Sequence, residues 1–391
     1  MGVLKLQPQQ ENSQTGGRLA GLVSALLLCL CILTIAFMTY QKSLDPAAGL
    51  KDILHKFSFS NADSIKEAKK EYSFEYDKNE NASFAVYDDY IVKCSSGGVW
   101  FMDKTGEVVR TENIAFNNPV IKKNGSFLVV ADLGSTEICV LDDRGIRYRE
   151  KLDEPSLNAD ISSDGYATAV TSAKRDNNII RVIEPHGLEL FKIVIANDFT
   201  VSAGISPSGD SLAVSGIGTG AAGVYSLYKF YDMKGKALSA LSFDASGELL
   251  PIFWFFDKNK IFAAGDRSVA AFDTSGKVLW KKQFGSVAGA GISNGRRLAV
   301  AAEGDKGYEL DIFNADGKKY ASGNLEGKPA GLGAYKGIIS VNTADTVYFY
   351  DEKCRNIARY HAGAPVSQVY LFSRQQAAVI TDHEVAVVNL G

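Results

Sequence analysis

The chain has 391 residues, a formal net charge of −3 and a pI near 5.9, with 46% hydrophobic and 22% charged residues. This composition is that of an ordinary globular protein, and it excludes both an intrinsically disordered chain and a strongly basic nucleic-acid-binding surface. Glycine is frequent (37 residues) and proline is rare (9), which favours many short strands joined by tight turns.

The first element in the chain is an uncharged segment at residues 19–40, "LAGLVSALLLCLCILTIAFMTY". At about 1.5 Å per residue it is long enough to cross a hydrocarbon core of roughly 30 Å, so the sequence predicts a transmembrane helix. A cleaved signal peptide is the alternative, but its apolar region is usually only about 7 to 15 residues long. Residues 1–18 are then a short cytoplasmic tail. The flanking charges are nearly balanced, so an extracytoplasmic domain is expected from the usual behaviour of a single N-terminal span.

Residues 41–70 follow this segment and look partly helical, which predicts a stalk between the membrane and the remaining domain. Two of the five cysteines lie in the apolar segment. The other three, Cys94, Cys139 and Cys354, form no C-x-x-C pair. They are therefore interpreted as free thiols in strands rather than as a zinc ribbon or a disulfide framework.

A hairpin is predicted at residues 269–284, "VAAFDTSGKVLWKKQF". Asp273 can cap the turn with its carboxylate, and Gly276 can adopt the positive φ that leads into the second strand. Similar hairpins begin at residues 99, 138, 180, 228, 310 and 347, and a truncated copy begins at residue 385. The stretch is thus one member of a repeat.

A second motif, a polar turn leading into a small apolar strand, precedes each hairpin. Its copies begin at residues 83, 120, 160, 204, 253, 291, 331 and 369. The mean spacing is about 41 residues, which is typical of a propeller blade with four antiparallel strands. The sequence therefore predicts eight units, each built from an inner and an outer hairpin.

The eighth unit stops after its third strand, while "EYSFEYD" at residues 71–77 is an unassigned strand ahead of the first unit. Pairing the two completes the ring and removes two free sheet edges. The predicted fold is an all-β, eight-bladed β-propeller of four-stranded antiparallel blades over residues 71–391. A β-solenoid needs a shorter period, and a Rossmann-like fold needs helices between its strands.

Two of the repeated motifs resemble the repeats of known propeller families. "VAAFDTSGKVLWKKQF" resembles the repeat of quinoprotein-type (PQQ-like) propellers at Ala270, Asp273, Gly276 and Trp280, and "ISPSGDSLAVSG" resembles the inner hairpin of WD40- and TolB-type blades. The whole layout is similar to membrane-anchored propeller proteins of clostridia and related Firmicutes. The resemblance covers residues 71–391 as architecture, and it carries no catalytic residue with it.

Three patterns resemble chemical motifs without their structural context. "GTGAAG" at residues 218–223 has the letters of a dinucleotide loop, but a strand pattern follows it where a helix is needed, so it is interpreted as a flexible loop between two strands. A calcium loop at residues 77–88 has Ala82 in place of the required glycine. His361, Asp382, His383 and Glu384 show no metal-ligand spacing. No catalytic residue, metal ligand or cofactor-binding residue is therefore assigned, and no cofactor is expected.

The units beginning at residues 160 and 204 are the longest, and their extra length falls in connections at one end of the barrel. Because the N-terminal strand enters from the opposite end, these connections are expected to face away from the membrane. Loops tend to carry function, so this end is the predicted partner site. The candidate residues are Arg175, Phe199, Thr219, Glu248, Leu250 and Trp254.

The expected function is that of a non-catalytic scaffold in the cell envelope. It is anchored in the cell membrane by a single span, holds its propeller outside the cytoplasm and binds an envelope protein. The alternative is a small-ligand or cofactor-binding sensor, or a quinoprotein-like enzyme, that uses the central channel. The two differ in a visible feature. A sensor or enzyme needs convergent charged groups at the channel, whereas a scaffold needs an exposed apolar patch at one end of the ring.

Overall fold

The computed structural model describes residues 65–173, 178–220, 223–243, 246–305 and 307–391. The predicted tail at 1–18, the predicted transmembrane helix at 19–40 and most of the predicted stalk lie outside these ranges. Within the ranges, none of the secondary structure is a helix long and apolar enough to cross a membrane.

The described residues form 32 β-strands. The first eight are β1 (Lys69–Glu75), β2 (Ser83–Tyr87), β3 (Tyr90–Ser95), β4 (Gly98–Met102), β5 (Val108–Glu112), β6 (Pro119–Asn124), β7 (Phe127–Asp132) and β8 (Glu137–Asp142). The next eight are β9 (Gly145–Lys151), β10 (Ser156–Ile161), β11 (Ala167–Ser172), β12 (Asn178–Ile183), β13 (Glu189–Ile195), β14 (Phe199–Ile205), β15 (Ser211–Gly220) and β16 (Gly223–Asp232).

The remaining strands complete the second half of the chain. They are β17 (Ala237–Ser242), β18 (Ile252–Phe255), β19 (Lys260–Ala264), β20 (Ser268–Asp273), β21 (Val278–Gln283), β22 (Ser286–Ser293), β23 (Arg297–Gly304) and β24 (Gly307–Asn314). The last eight are β25 (Lys319–Asn324), β26 (Gly331–Tyr335), β27 (Ile338–Asn342), β28 (Thr346–Asp351), β29 (Asn356–His361), β30 (Gln368–Leu371), β31 (Gln376–Ile380) and β32 (Glu384–Asn389).

The strands pair into eight four-stranded antiparallel sheets, which confirms the predicted propeller. Blades 1 to 7 each take four consecutive strands, starting with β2–β5, and blade 8 consists of β30, β31, β32 and β1. The first strands of neighbouring blades contact one another, as β2 contacts β6 and β26 contacts β30, so these strands form the inner ring. We call the end with the turns inside each hairpin the turn end, and the opposite end the loop end.

The core explains the small apolar residues of the repeat. Eight hydrophobic clusters fill the eight interfaces between adjacent blades. The second and third strands of each blade are buried on both faces because a blade lies on either side, as in "ATAVTS" of β11. Burial on two faces selects short apolar residues at consecutive positions rather than an alternating pattern.

The turns between third and fourth strands follow the predicted chemistry. In blade 5, an Asp273 carboxylate oxygen accepts hydrogen bonds from the backbone N–H groups of Ser275 and Lys277, each at 3.0 Å, and Gly276 has φ = 86°. Cys354 occupies the position of that glycine in blade 7 and has φ = 57°, a conformation that side chains rarely adopt. Cys354 is therefore in a turn, whereas Cys94 and Cys139 lie in strands as predicted.

The ring closes by pairing the first and last strands. β1 runs antiparallel to β32, with Glu75 opposite Glu384, and the Nδ2 of Asn389 donates to Glu71 at 2.6 Å. β1 begins at Lys69, so the propeller includes the last residues of the segment that the sequence assigns to the stalk. The chain ahead of it also participates, because Ala68 is buried in the cluster between blades 7 and 8.

We expect Phe74→Ala to lower the free energy of unfolding by about 2 kcal/mol, because the side chain packs on the cluster between blades 8 and 1. Tyr72→Ala in the same strand is the matched control. Tyr72 is 45% exposed, so its loss is expected to change the stability by no more than about 0.5 kcal/mol. Urea unfolding of both variants measures the difference. Equal stabilities of the two variants would contradict a closure that depends on packing of β1.

Candidate functional site

The most prominent feature of the loop end is a long hairpin in blade 4. β15 and β16 pair as far as Gly220 and Gly223, and each strand has 10 residues. The second strand of blade 3 has only 6 residues and ends at Ser172, which corresponds to Ile217 of β15. β15 continues for three more residues, or roughly 10 Å at about 3.3 Å per residue. The glycine-rich stretch at 218–223 was interpreted as a flexible loop. The described residues instead continue the two strands, in agreement with the alternating pattern that follows.

Exposed apolar side chains cover one side of this hairpin. Phe199 at the start of β14 is 56% exposed and lies opposite Ile217 of β15. Two residues farther along β15, the exposed Thr219 lies opposite Val224, which is 47% exposed. Residues opposite each other in a ladder point to the same face, so these side chains form one surface.

The adjoining strand of blade 5 lies beside this surface. The Ser215 hydroxyl donates to the Pro251 carbonyl at 3.1 Å, which holds the start of β18 beside β15. Ile252, the first residue of β18, is 56% exposed, but it lies on the same strand face as Trp254, which is turned toward blade 6. We call Phe199, Thr219 and Val224 the apolar ridge.

The other predicted contact residues have different roles. Leu250 was predicted as a contact residue, but it is completely buried among the side chains between blades 4 and 5 and has no surface for a partner. Glu248 binds Lys281 at 2.9 Å and Gln283 at 3.0 Å, and Trp254 packs on the cluster between blades 5 and 6. Arg175 lies outside the described residues.

Val224 and Ile252 were missed by the sequence interpretation. The strand pattern "VYSLYKFYD" could have assigned Val224 to a projecting hairpin, had its alternation been extended back across the glycines. Ile252 gives no comparable signal, because its exposure depends on how the preceding connection packs against blade 4.

A second projecting hairpin lies in blade 6. β23 and β24 have 8 residues each and pair as far as Gly304 and Gly307. Exposed carboxylates lie at this end of blades 5 and 6. They are Asp266, which is followed by the exposed Arg267, and Glu303 and Asp305 in the blade 6 hairpin. We call the three carboxylates the acidic border. The loop end thus combines an apolar ridge with an acidic border, and blade 5 lies between two raised hairpins.

The inner strands carry one charged network. The Nζ of Lys122 on β6 donates to Asn158 on β10 at 3.0 Å and lies 3.6 Å from the carboxylate of Asp160. The Nδ2 of Asn158 donates to the Val201 carbonyl on β14 at 2.9 Å. Desolvation raises the pKa of the Asp160 carboxyl above its ordinary value, and the Lys122 ammonium opposes this rise. The network joins three blades, and its charges pair with each other.

We expect Lys122→Met to destabilise the protein by about 1 kcal/mol at pH 7.5, the upper range for a partly solvated ion pair. Loss of the ammonium raises the pKa of Asp160 further, so ionising the carboxyl costs more stability. That cost appears as the pH rises above the usual aspartate pKa of about 3.9, so the variant and the wild type differ less at pH 4.5.

The measurement is urea unfolding at both pH values, with Lys122→Met/Asp160→Asn as the control. The double variant has no carboxyl at this position, so its stability difference from Asp160→Asn is expected to be independent of pH. A single-variant difference that is equal at pH 4.5 and pH 7.5 would contradict the assignment of Asp160 as the titrating group.

The remaining nucleophile and metal candidates do not form a site in the described ranges. Cys94 and Cys139 are free and buried, and burial raises the pKa of the Cys139 thiol to about 12. His383 contacts Asp382 at 2.6 Å, whereas His361 lies beside Thr346 in another blade. Among the described residues, no group of three His, Cys, Asp or Glu side chains is placed to hold a metal ion.

A family model matches residues 60–390, which is nearly the whole propeller together with the residues before it. The chain belongs to DUF5711, a family of unknown function. None of the curated proteins matches this DUF5711 chain.

Solved structures match the fold of the DUF5711 chain at low sequence identity. BamB from Moraxella catarrhalis is 16% identical, with 82% of this chain and 99% of that chain covered and a TM-score of 0.54. Sqt1 from Saccharomyces cerevisiae is 8% identical, with 84% and 100% covered and a TM-score of 0.61. A chain of the mitotic checkpoint complex is 10% identical, with 69% and 86% covered and a TM-score of 0.50. At these identities the likeness shows a shared propeller fold alone.

Proposed function

We propose that this protein is a membrane-anchored, extracytoplasmic β-propeller that binds another envelope protein through the loop end of blades 4 and 5, without catalysing a reaction. The anchor is the uncharged segment at residues 19–40, and the turn end faces the membrane. The partner contacts the apolar ridge and places basic groups against the acidic border.

The contrast between the loop end and the channel carries this proposal. The loop end exposes Phe199 and Val224 on one face of blade 4, and exposed apolar residues grouped in this way mark a protein contact. In the channel, Lys122 and Asp160 neutralise each other and Asn158 is held by hydrogen bonds to both neighbours. A sensor or enzyme needs unpaired groups that converge on a ligand. The channel therefore supports a ligand-binding or catalytic function less well than the loop end supports a protein contact.

The fold comparison is compatible with a role in assembly. A chain with this fold is part of the mitotic checkpoint complex, so the propeller serves as a component of a protein assembly in that case. A rigid ring suits such a task because its loops vary independently of the blades that hold them.

We expect Phe199→Asp to reduce recovery of the partner from crosslinked native membranes by at least about tenfold, because a charge replaces an apolar anchor. The measurement is quantitative mass spectrometry of proteins that copurify with the tagged full-length chain. Leu188→Asp is the matched control, since Leu188 is 68% exposed but lies in a turn of blade 3 at the turn end. The proposal fails if both variants recover the same proteins in the same amounts as the wild type.

The topology has its own test with Thr219→Cys on the exposed hairpin. A membrane-impermeant maleimide is expected to label this variant in intact cells, because the propeller lies outside the cytoplasm. The native thiols give little background, since burial raises the pKa of both Cys139 and Cys354 to about 12. Wild-type cells are the control. Labelling that appears only after lysis would place the propeller in the cytoplasm.

A further inference from the structure

A cavity of about 710 Å³ lies at the turn end, between blades 7 and 8. Four separate parts of the chain surround it. Lys336 comes from the β26–β27 turn, Arg355 from the β28–β29 turn and Arg374 from the β30–β31 turn. Lys66 comes from the residues that precede β1. Its volume is within the range of small-molecule sites.

The side chains around the cavity make it strongly cationic. Four cationic side chains face one acidic side chain, Asp351, which is already paired with Arg355 at 2.6 Å, and Lys66 packs against Gly391 in the cavity wall. Lys66 and Arg374 form no ion pair with any side chain in the described part of the chain, and Lys336 lies over the ring of Tyr335 at 4.8 Å. Lys336 and Arg374 are therefore the cations most available to an anionic ligand.

The deeper lining of the cavity is apolar. Ile338 and Leu390 are each only 3% exposed, and Ile357 is partly buried beside them. Ser373 lies between the cationic and the apolar side chains of the cavity. It begins a turn, in which its hydroxyl accepts a hydrogen bond from the Gln375 N–H at 3.1 Å. The cavity thus has a cationic rim and an apolar floor.

We propose that this cavity binds the phosphate group of an anionic amphiphile, with the phosphate on the cationic rim and the adjoining apolar part on Ile338, Ile357 and Leu390. Arginine and lysine side chains bind phosphate oxygens through charge-assisted hydrogen bonds. An apolar floor adds nothing to the binding of a small inorganic anion, so it favours a lipid headgroup with its glycerol and upper acyl carbons.

The choice of a membrane lipid as the ligand rests on the proposed function, in which the turn end faces the membrane. The described chain begins at this end, and residue 40, the last of the predicted span, is 26 positions before Lys66. A chain of that length reaches at most roughly 90 Å when fully extended, and much less when compact, so the cavity stays within reach of the bilayer surface. Where the bilayer surface carries anionic headgroups, a basic cluster within about a Debye length is attracted to them.

The test is native mass spectrometry of the full-length protein in detergent, titrated with dioctanoyl-phosphatidylglycerol or dioctanoyl-phosphatidylcholine. We expect the wild type to bind the anionic lipid at least about tenfold more tightly than the zwitterionic one, as two charge-assisted contacts allow. Lys336→Asn/Arg374→Gln is expected to remove this preference. Asparagine at position 336 tolerates the positive φ of 47° that Lys336 has, so the fold is kept.

The matched control is Arg144→Gln/Lys234→Gln. It removes the same charge from exposed residues of two other turns at the turn end, in blades 2 and 4. The preference for phosphatidylglycerol is expected to survive in this control. If both double variants lose the preference, it reflects net charge; if both keep it, the cavity cations are not its cause. Either result shows that the proposal is wrong.

Two further titrants separate the possible sources of the anion. Saturable binding of inorganic phosphate without any preference for phosphatidylglycerol would overturn the amphiphile in favour of a free phosphate. Binding of a glutamate-rich peptide in place of the lipid would overturn it in favour of an acidic protein segment. The maleimide experiment tests membrane topology separately, so a cytoplasmic propeller that keeps its lipid preference would disprove the orientation and leave the cavity assignment intact.

Discussion

The antiparallel pairing of β1 with β32 is the interaction on which the rest of the structure depends. Each blade buries its middle strands only because another blade covers each of its two faces, and eight clusters complete that arrangement around the ring. An open stack would expose two apolar faces and two strand edges at its ends. Closure converts blades that are individually unstable into one body, and it makes every surface site depend on the complete circle.

Much of this architecture follows from short-range chemistry. Asp273 and Gly276 specify a turn that any antiparallel pair with this twist can use, and repetition of that turn at a regular interval specifies the blade. The bounds of the strands are harder to predict from the sequence, because the alternating pattern of apolar and polar residues continues beyond the paired residues or stops before them. The projecting hairpin of blade 4 illustrates this, since glycines that suggest a loop are compatible with a strand when a long aromatic neighbour such as Tyr225 packs over Gly218.

The candidate surfaces were predictable to different degrees. The sequence interpretation identified the loop end and two ridge residues, Phe199 and Thr219, because insertions in a repeat reveal where loops are long. It could not separate Leu250 from them, since burial of a loop side chain is decided by the neighbouring blade. The cationic cavity was entirely hidden, because Lys66 and Arg374 are remote in sequence and only ring closure brings them together.

The shared blade also has a consequence for the order of events during synthesis. Glu71 and its hydrogen-bond partner Asn389 are 318 positions apart, so nearly the whole propeller must be made before β1 meets β32. At about 5 to 20 residues per second, β1 waits many seconds with an unpaired edge. The edge of β1 therefore stays unpaired until β32 has been made. That interval is the window in which a folding helper can protect it.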